Sequence, residues 1–185
     1  DPMFKYISDV SNIAHSIIKN HSVNFNTALD ATLGNGYDTD FLSSLFDTVY
    51  AFDIQEQCII NYKNKSNNKI ILINDSHENV DKYVKTGLDC AMYNLGFLPG
   101  GNKKLTTTYE STLKSIEKTL LLLNPQGLLT IAIYPGHPAG RLEKEYLLDY
   151  CKKLPKNKYA VLYSQFINRE NTPPELLIIE KNEGF

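Results

Sequence analysis

The 185-residue chain has no apolar run near the roughly 18–20 residues that cross a bilayer, so no membrane span is expected. Its first ten residues, DPMFKYISDV, hold no basic region followed by an apolar block and a cleavage site, so no secretory leader is expected. Cysteine is scarce. Cys58, Cys90 and Cys151 lie far apart with no C-x-x-C pair, which argues against a disulfide framework or a zinc site. A reducing, cytoplasmic location follows as the expectation. The four histidines have no ligand spacing, so no metal is expected. An excess of basic charge is also missing: the net charge is −2, whereas proteins that grip duplex nucleic acid are usually strongly basic. An RNA partner would have to be held by a local patch and by pockets for unstacked bases.

What is present suits one domain with a full core. Hydrophobic residues make up 42% and charged residues 22%, and no linker or repeat interrupts the chain. Residues 1–25 read as an N-terminal helical segment, with Phe4, Ile7, Val10, Ala14, Ile17 and Ile18 at helical spacing over residues 3–20. Residues 26–185 read as the core. Strand-like runs occur at 27–31, 48–53, 70–74, 88–94 and 127–134. Helical patterns separate them: Phe41, Leu42, Leu45 and Phe46 mark one, residues 56–65 another, and residues 107–123 the clearest.

In that last helix Thr107 and Glu110 read as a capping box, and Asn124-Pro125-Gln126-Gly127 as its stop. A further helix should begin at Pro138 and turn Leu142, Leu147, Tyr150 and Leu154 inward, and Tyr109 and Tyr150 fall on core stripes. Runs 159–167 and 175–181 close the chain as antiparallel neighbours. Alternating strands and helices imply an α/β fold with a mostly parallel sheet covered on both faces. Ligands in such sheets bind beyond the carboxyl ends of the strands, so the motifs belong there.

After the first strand comes Asp30-Ala-Thr-Leu-Gly34-Asn35-Gly36-Tyr-Asp38-Thr39. By itself the glycine pair reads equally as a tight turn or as a loop that lets backbone approach a ligand. No G-K-[ST] follows, here or at Gly100-Gly101, so a Walker loop is excluded. Thr39 stands where a dinucleotide loop needs a third small residue. An acid ahead of the glycines suits a ligand carrying positive charge, such as S-adenosylmethionine. Asp53, about twenty residues on and followed by Gln55, can accept from both hydroxyls of a ribose, or cap the next helix. Asp75-Ser76-His77 at the third strand end could meet an adenine amino group, or cap a helix.

The fourth strand ends in Asn94-Leu95-Gly96-Phe97. An Asn side-chain oxygen with a backbone carbonyl can orient an amine, while an aromatic stacks on the attached base. The alternative is an apolar loop that closes the sheet. After the fifth strand, Tyr134-Pro135-Gly136-His137-Pro138 holds His137 between two prolines, as a substrate contact, a base or a local hydrogen-bonding residue. Arg141 follows it. Lys103 and Lys104 are candidate phosphate contacts or plain surface lysines.

The strings DATLGNGYDTDFL, YAFDIQ, NDSH, YNLGFLPGGNK, TTTYEST, YPGHPAGRLEK and QFINRENTPP together resemble a bacterial class I methyltransferase family of rRNA-methylase type. The likeness runs from about residue 28 to 181. It implies a Rossmann-like, seven-stranded sheet with an antiparallel C-terminal hairpin. It implies S-adenosylmethionine held by Asp30, Gly34, Asn35, Gly36, Asp38, Thr39, Asp53, Gln55, Asp75, Ser76, His77 and Asn94. Asn94, Leu95, Phe97 and His137 become the catalytic candidates, and Lys103, Lys104, Tyr134, His137 and Arg141 the substrate contacts. The implied reaction is N-methylation of the 5-aminomethyl group of a wobble (2-thio)uridine in the tRNA anticodon loop. Methylation of rRNA or of a small-molecule amine is the alternative, a nicotinamide dehydrogenase and a non-catalytic RNA-binding module are rivals, and there is room for a homodimer.

Overall fold

The structure, a computed structural model, describes residues 4–96 and 108–184. Its strands are β1 (Thr27–Asp30), β2 (Thr48–Phe52), β3 (Ile70–Ile73), β4 (Leu88–Asn94), β5 (Leu123–Ile133), β6 (Tyr159–Ser164) and β7 (Glu175–Lys181). Its helices are α1 (Val10–His21), α2 (Tyr37–Leu45), α3 (Glu56–Lys63), the single turn α4 (Val80–Tyr83), α5 (Tyr109–Leu122) and α6 (Pro138–Lys152). The strands form one seven-stranded sheet in the order β3-β2-β1-β4-β5-β7-β6. The first five run parallel, and β7 enters antiparallel between β5 and the edge strand β6. The expected α/β architecture and closing hairpin are both present.

Because side chains alternate along a strand, the central strands feed two cores. Ala28, Cys90 and Met92 face α1 and α2 through Val10, Ala14, Ile18, Leu42 and Phe46. Leu29, Ala91 and Tyr93 face α5 and α6 through Ile116, Leu120 and Leu147. Cys58, Cys90 and Cys151 are all buried free thiols. Among the described residues, no helix is long and apolar enough to cross a membrane.

Four local expectations need correction. Helix α1 starts at Val10 because the Asp9 carboxylate accepts from the Asn12 N–H at 2.7 Å and caps it. Phe4 and Ile7 therefore precede the helix and are exposed. The capping box of α5 is Thr108 with Ser111, each side chain bonded to the other's backbone N–H. In α6, Leu147 is buried, but Leu142 is 43% exposed, since the helix turns Glu143 and Leu147 inward instead. Tyr109 stacks on Tyr146 at 4.1 Å and is only half-buried, while Tyr150 does pack against the core.

At the amino ends of the strands, Asp89 ties three segments together. One carboxylate oxygen accepts from the Asn26 and Thr27 N–H groups, and the other accepts from the Asn124 side-chain amide. Removing the carboxylate leaves three donors unpaired next to the core. Asp89→Ala should cost about 2–3 kcal/mol in urea unfolding. Ligand affinity should stay unchanged, because Asp89 sits at the end of the sheet away from the glycine loop.

Candidate active site

At the carboxyl end of β1, Asp30 is completely buried. One of its oxygens accepts from the Thr32 N–H at 3.0 Å and the other from the Thr39 hydroxyl at 2.7 Å. Burial, with Asp38 next in effect, pushes its pKa up to about 7. This is a carboxylate short of a positive partner. The two glycines beyond it are needed for different reasons. Gly36, at φ 85°, lies so close to Tyr62 that a Cβ would fall 2.2 Å from the ring. Gly34, at φ 52°, would meet only the Thr32 carbonyl, at 4.0 Å, and leaves open space above the loop.

Asp53, beyond the end of β2, is tied into the same loop. One carboxylate oxygen accepts from the Gly34 N–H and the other from the Gln55 N–H, both at 2.9 Å. Asp53 thus braces the glycine loop, and it is Gln55 that occupies the N-cap position of α3. Each Asp53 oxygen keeps a second lone pair for a further donor. Asn35 is exposed at the loop tip.

Asn94 at the end of β4 is joined to that loop. Its N–H donates to the Thr32 hydroxyl at 2.7 Å, and the next N–H, of Leu95, donates to the Ala132 carbonyl. The Tyr134 hydroxyl lies near Asn94 and Ser11 of α1, whose polar side chains oppose the upward push that burial gives its pKa. Gly96 lies against the Tyr134 ring, where a Cβ would come within 3.0 Å. The fold therefore brings together Asp30, Gly34, Asp53, Asn94 and Tyr134.

Helix α1 forms a wall that the sequence reading assigned only to the core. His15 Nε2 meets Asp38 at 2.7 Å with its ring stacked on Phe41, and the Tyr37 hydroxyl donates to Asn12. Asp38 is thus committed to holding α1, and the buried Thr39 acts through Asp30. Ser11, Asn12, His15 and Thr32 all went unnamed in the sequence reading. Thr32 stood inside the glycine string, and the three α1 residues were polar positions on a helix judged by its apolar stripe.

Other expected residues are placed less simply. Asp75 accepts from the Ser76 N–H, the Asn79 amide and the Tyr83 hydroxyl, and Ser76 caps the turn that follows. Both side chains hold that turn. His77 is 2% exposed and packed edge-on against Tyr93, with neither ring nitrogen hydrogen-bonded, and burial pushes its pKa down to about 4. It is a neutral core residue. His137 caps α6, its Nδ1 accepting from the Gly140 N–H at 3.1 Å, with Arg141 exposed in the first turn. Phe97, Lys103 and Lys104 lie outside the described residues. A concavity of about 330 Å³ beside Gln126, Lys156, Tyr159 and Glu180 sits at the opposite end of the sheet and holds none of these groups. Among the described residues, no group of three His, Cys, Asp or Glu side chains could hold a metal.

Residues 49–180 match the family model described as "Putative rRNA methylase". The chain belongs to this family. It is 30% identical over 190 residues to the "tRNA (mnm(5)s(2)U34)-methyltransferase, chloroplastic" of Arabidopsis thaliana, covering 93% of this chain and 69% of that protein. A solved "putative rRNA-methylase" of Clostridium thermocellum is 37% identical, covers 96% of this chain and 100% of its own, and superposes with a TM-score of 0.90. A "putative methyltransferase" of Streptococcus mutans, solved in complex with SAH, is also 37% identical, with 95% and 99% coverage and a TM-score of 0.86.

The protein is accordingly a class I methyltransferase, and the SAH in the Streptococcus mutans neighbour makes S-adenosylmethionine the methyl donor to test against this site. Its residues fit the cofactor: Gly34 leaves room, and the under-compensated Asp30 favours a cationic group. Such a group favours ionised Asp30, so S-adenosylmethionine affinity should fall as pH drops through about 7, by up to about tenfold per pH unit. Asp30→Asn should weaken binding and flatten that profile in calorimetric titrations. An unchanged slope in the variant would assign the pH dependence to another group.

Proposed function

We propose that this enzyme N-methylates the 5-aminomethyl group of a wobble uridine in tRNA, with or without the 2-thio group, giving 5-methylaminomethyl uridine. The observation that carries the reading is the juncture of Asn94 with the glycine loop, where the Asn94 N–H meets the Thr32 hydroxyl at 2.7 Å. A residue suited to orienting an amine is thereby locked to the loop suited to the methyl donor. The name of the Arabidopsis relative supports the same substrate. The family description supports rRNA as the second reading, and a small-molecule amine is the third.

S-adenosylmethionine supplies, when bound, a methyl group already activated on a sulfonium. Asp30 answers its positive charge, Asp53 accepts from the ribose, and Gly34 and Gly36 let the backbone come close. The enzyme's own task is positioning. The amine must be neutral to react, and for a lysine-like amine that costs roughly 4–5 kcal/mol at pH 7. Desolvation of the amine on binding lowers that cost by disfavouring the ammonium form. The Asn94 side-chain oxygen and the Leu95 carbonyl accept the amine's N–H bonds and aim its lone pair, and Phe97 stacks on the base. His137, whose Nδ1 caps α6, is a proposed substrate contact beside Tyr134 and Arg141. Lys103 and Lys104 are proposed phosphate contacts. The buried free thiols support a cytoplasmic setting, with residues 1–185 acting as one methyltransferase domain.

The deciding experiment supplies methyl-labelled S-adenosylmethionine and tRNA that lacks its final wobble methylation, followed by nucleoside mass spectrometry. Label should appear on the 5-aminomethyl uridine. Label on rRNA or a free amine alone would overturn the tRNA reading and keep the class. Asn94→Ala should lower kcat by about a hundredfold while the S-adenosylmethionine Kd moves less than about threefold. Near-normal turnover would remove Asn94 from the reaction.

A further inference from the structure

We propose that Phe4, Tyr6, Ile7, Ile167 and Arg169 form the surface on which the RNA substrate lays the unstacked bases of its loop. This rests on the RNA reading above and adds where the RNA is held. Ile167 is 97% exposed, Tyr6 75%, Phe4 67% and Ile7 50%. Large apolar side chains left in the open on two joined segments mark an interaction site. None of the four belongs to either core. The Asp9 cap ends the helix before the first three, and the β6–β7 connection carries Ile167 away from the sheet.

One contact joins these segments, and a second lies within the β6–β7 connection. Arg169 donates to the Ser8 carbonyl at 2.9 Å, and its guanidinium lies over the Phe166 ring at 3.6 Å. The connection is held in shape with Asn171 and Thr172 both at positive φ. Both segments stand at the carboxyl end of the sheet. Three residues beyond Ser8, Ser11 adjoins Tyr134, which also adjoins Asn94. The other segment leaves β6 at Ser164, opposite Leu176, which in turn pairs with Ala132 just before Tyr134. The patch is therefore a rim of the site.

Its chemistry fits single-stranded RNA. Aromatic and apolar faces beside an arginine stacked on a ring are what splayed bases stack upon. Such recognition needs no broad basic field, in keeping with a net charge of −2. A loop stacked on this rim lies beside the site that carries Asn94, which makes the RNA substrate the occupant the placement favours.

The test uses the whole chain and a synthetic anticodon stem–loop RNA, with Tyr6→Ala/Ile167→Ser and Arg169→Ala as variants. Each should weaken RNA binding roughly tenfold or more while leaving S-adenosylmethionine affinity, melting temperature and sedimentation coefficient unchanged. Tyr6→Trp, which keeps a stacking face, should bind RNA as the parent does. Unchanged RNA affinity in both variants would overturn the proposal. So would a shift from dimer to monomer in either, which would assign the patch to self-association. Because binding is read directly, a parent protein that binds the stem–loop but never methylates tRNA would sink the tRNA reaction and not this surface.

Discussion

The carboxylate of Asp30 organises the site. It is wholly buried at the end of a central parallel strand, where a charge is tolerated only if hydrogen-bonded or matched by an opposite charge. Thr32 and Thr39 supply the hydrogen bonds, and nothing among the described residues supplies the matching charge. Asp38 and Asp53 make the deficit larger. A ligand with a positive group closes it. The same arrangement explains why the loop is tied at so many points. Thr32 holds Asp30 through its N–H and Asn94 through its hydroxyl, so the donor side and the acceptor side of the site share one residue.

Helix α1 belongs to this arrangement as much as to the core. Its apolar stripe fills one face of the sheet through Val10, Ala14 and Ile18. Its polar residues reach the site: His15 takes up Asp38, and Ser11 reaches Tyr134. The His15 contact fixes where the Asp38 carboxylate stands beside Asp30. The first turn of α1 also sets where the exposed residues before it stand, because the Asp9 cap settles the helix start. Core packing, acid pairing and the rim are thus consequences of one helix placement.

Much of the architecture was legible in the sequence. Near-continuous apolar runs separated by helical patterns specified five parallel strands and a hairpin, and observed strand bounds lie within a few residues of those expected. Helix starts were less legible, because neighbouring side chains compete for the same backbone N–H groups. In the string TTTYES, Thr107 with Glu110 and Thr108 with Ser111 are both reasonable boxes, and only the second forms among the described residues. Leu142 shows the same limit in packing, since helical spacing does not say which of two adjacent stripes faces the sheet.

By itself, the order of residues determined that an acid, a glycine pair, a second acid and an asparagine would stand at successive strand ends. Period-two burial and turn chemistry are local, and they act on short stretches. Which of those groups stay open to a ligand was decided only in three dimensions. Asp38 and Thr39 look like loop residues in sequence, yet one is taken by a histidine twenty-three positions away and the other serves Asp30. His77 is polar in sequence and core in the fold. A side chain's role depends on its partners, and those partners arrive from other elements only when the sheet and its helices close.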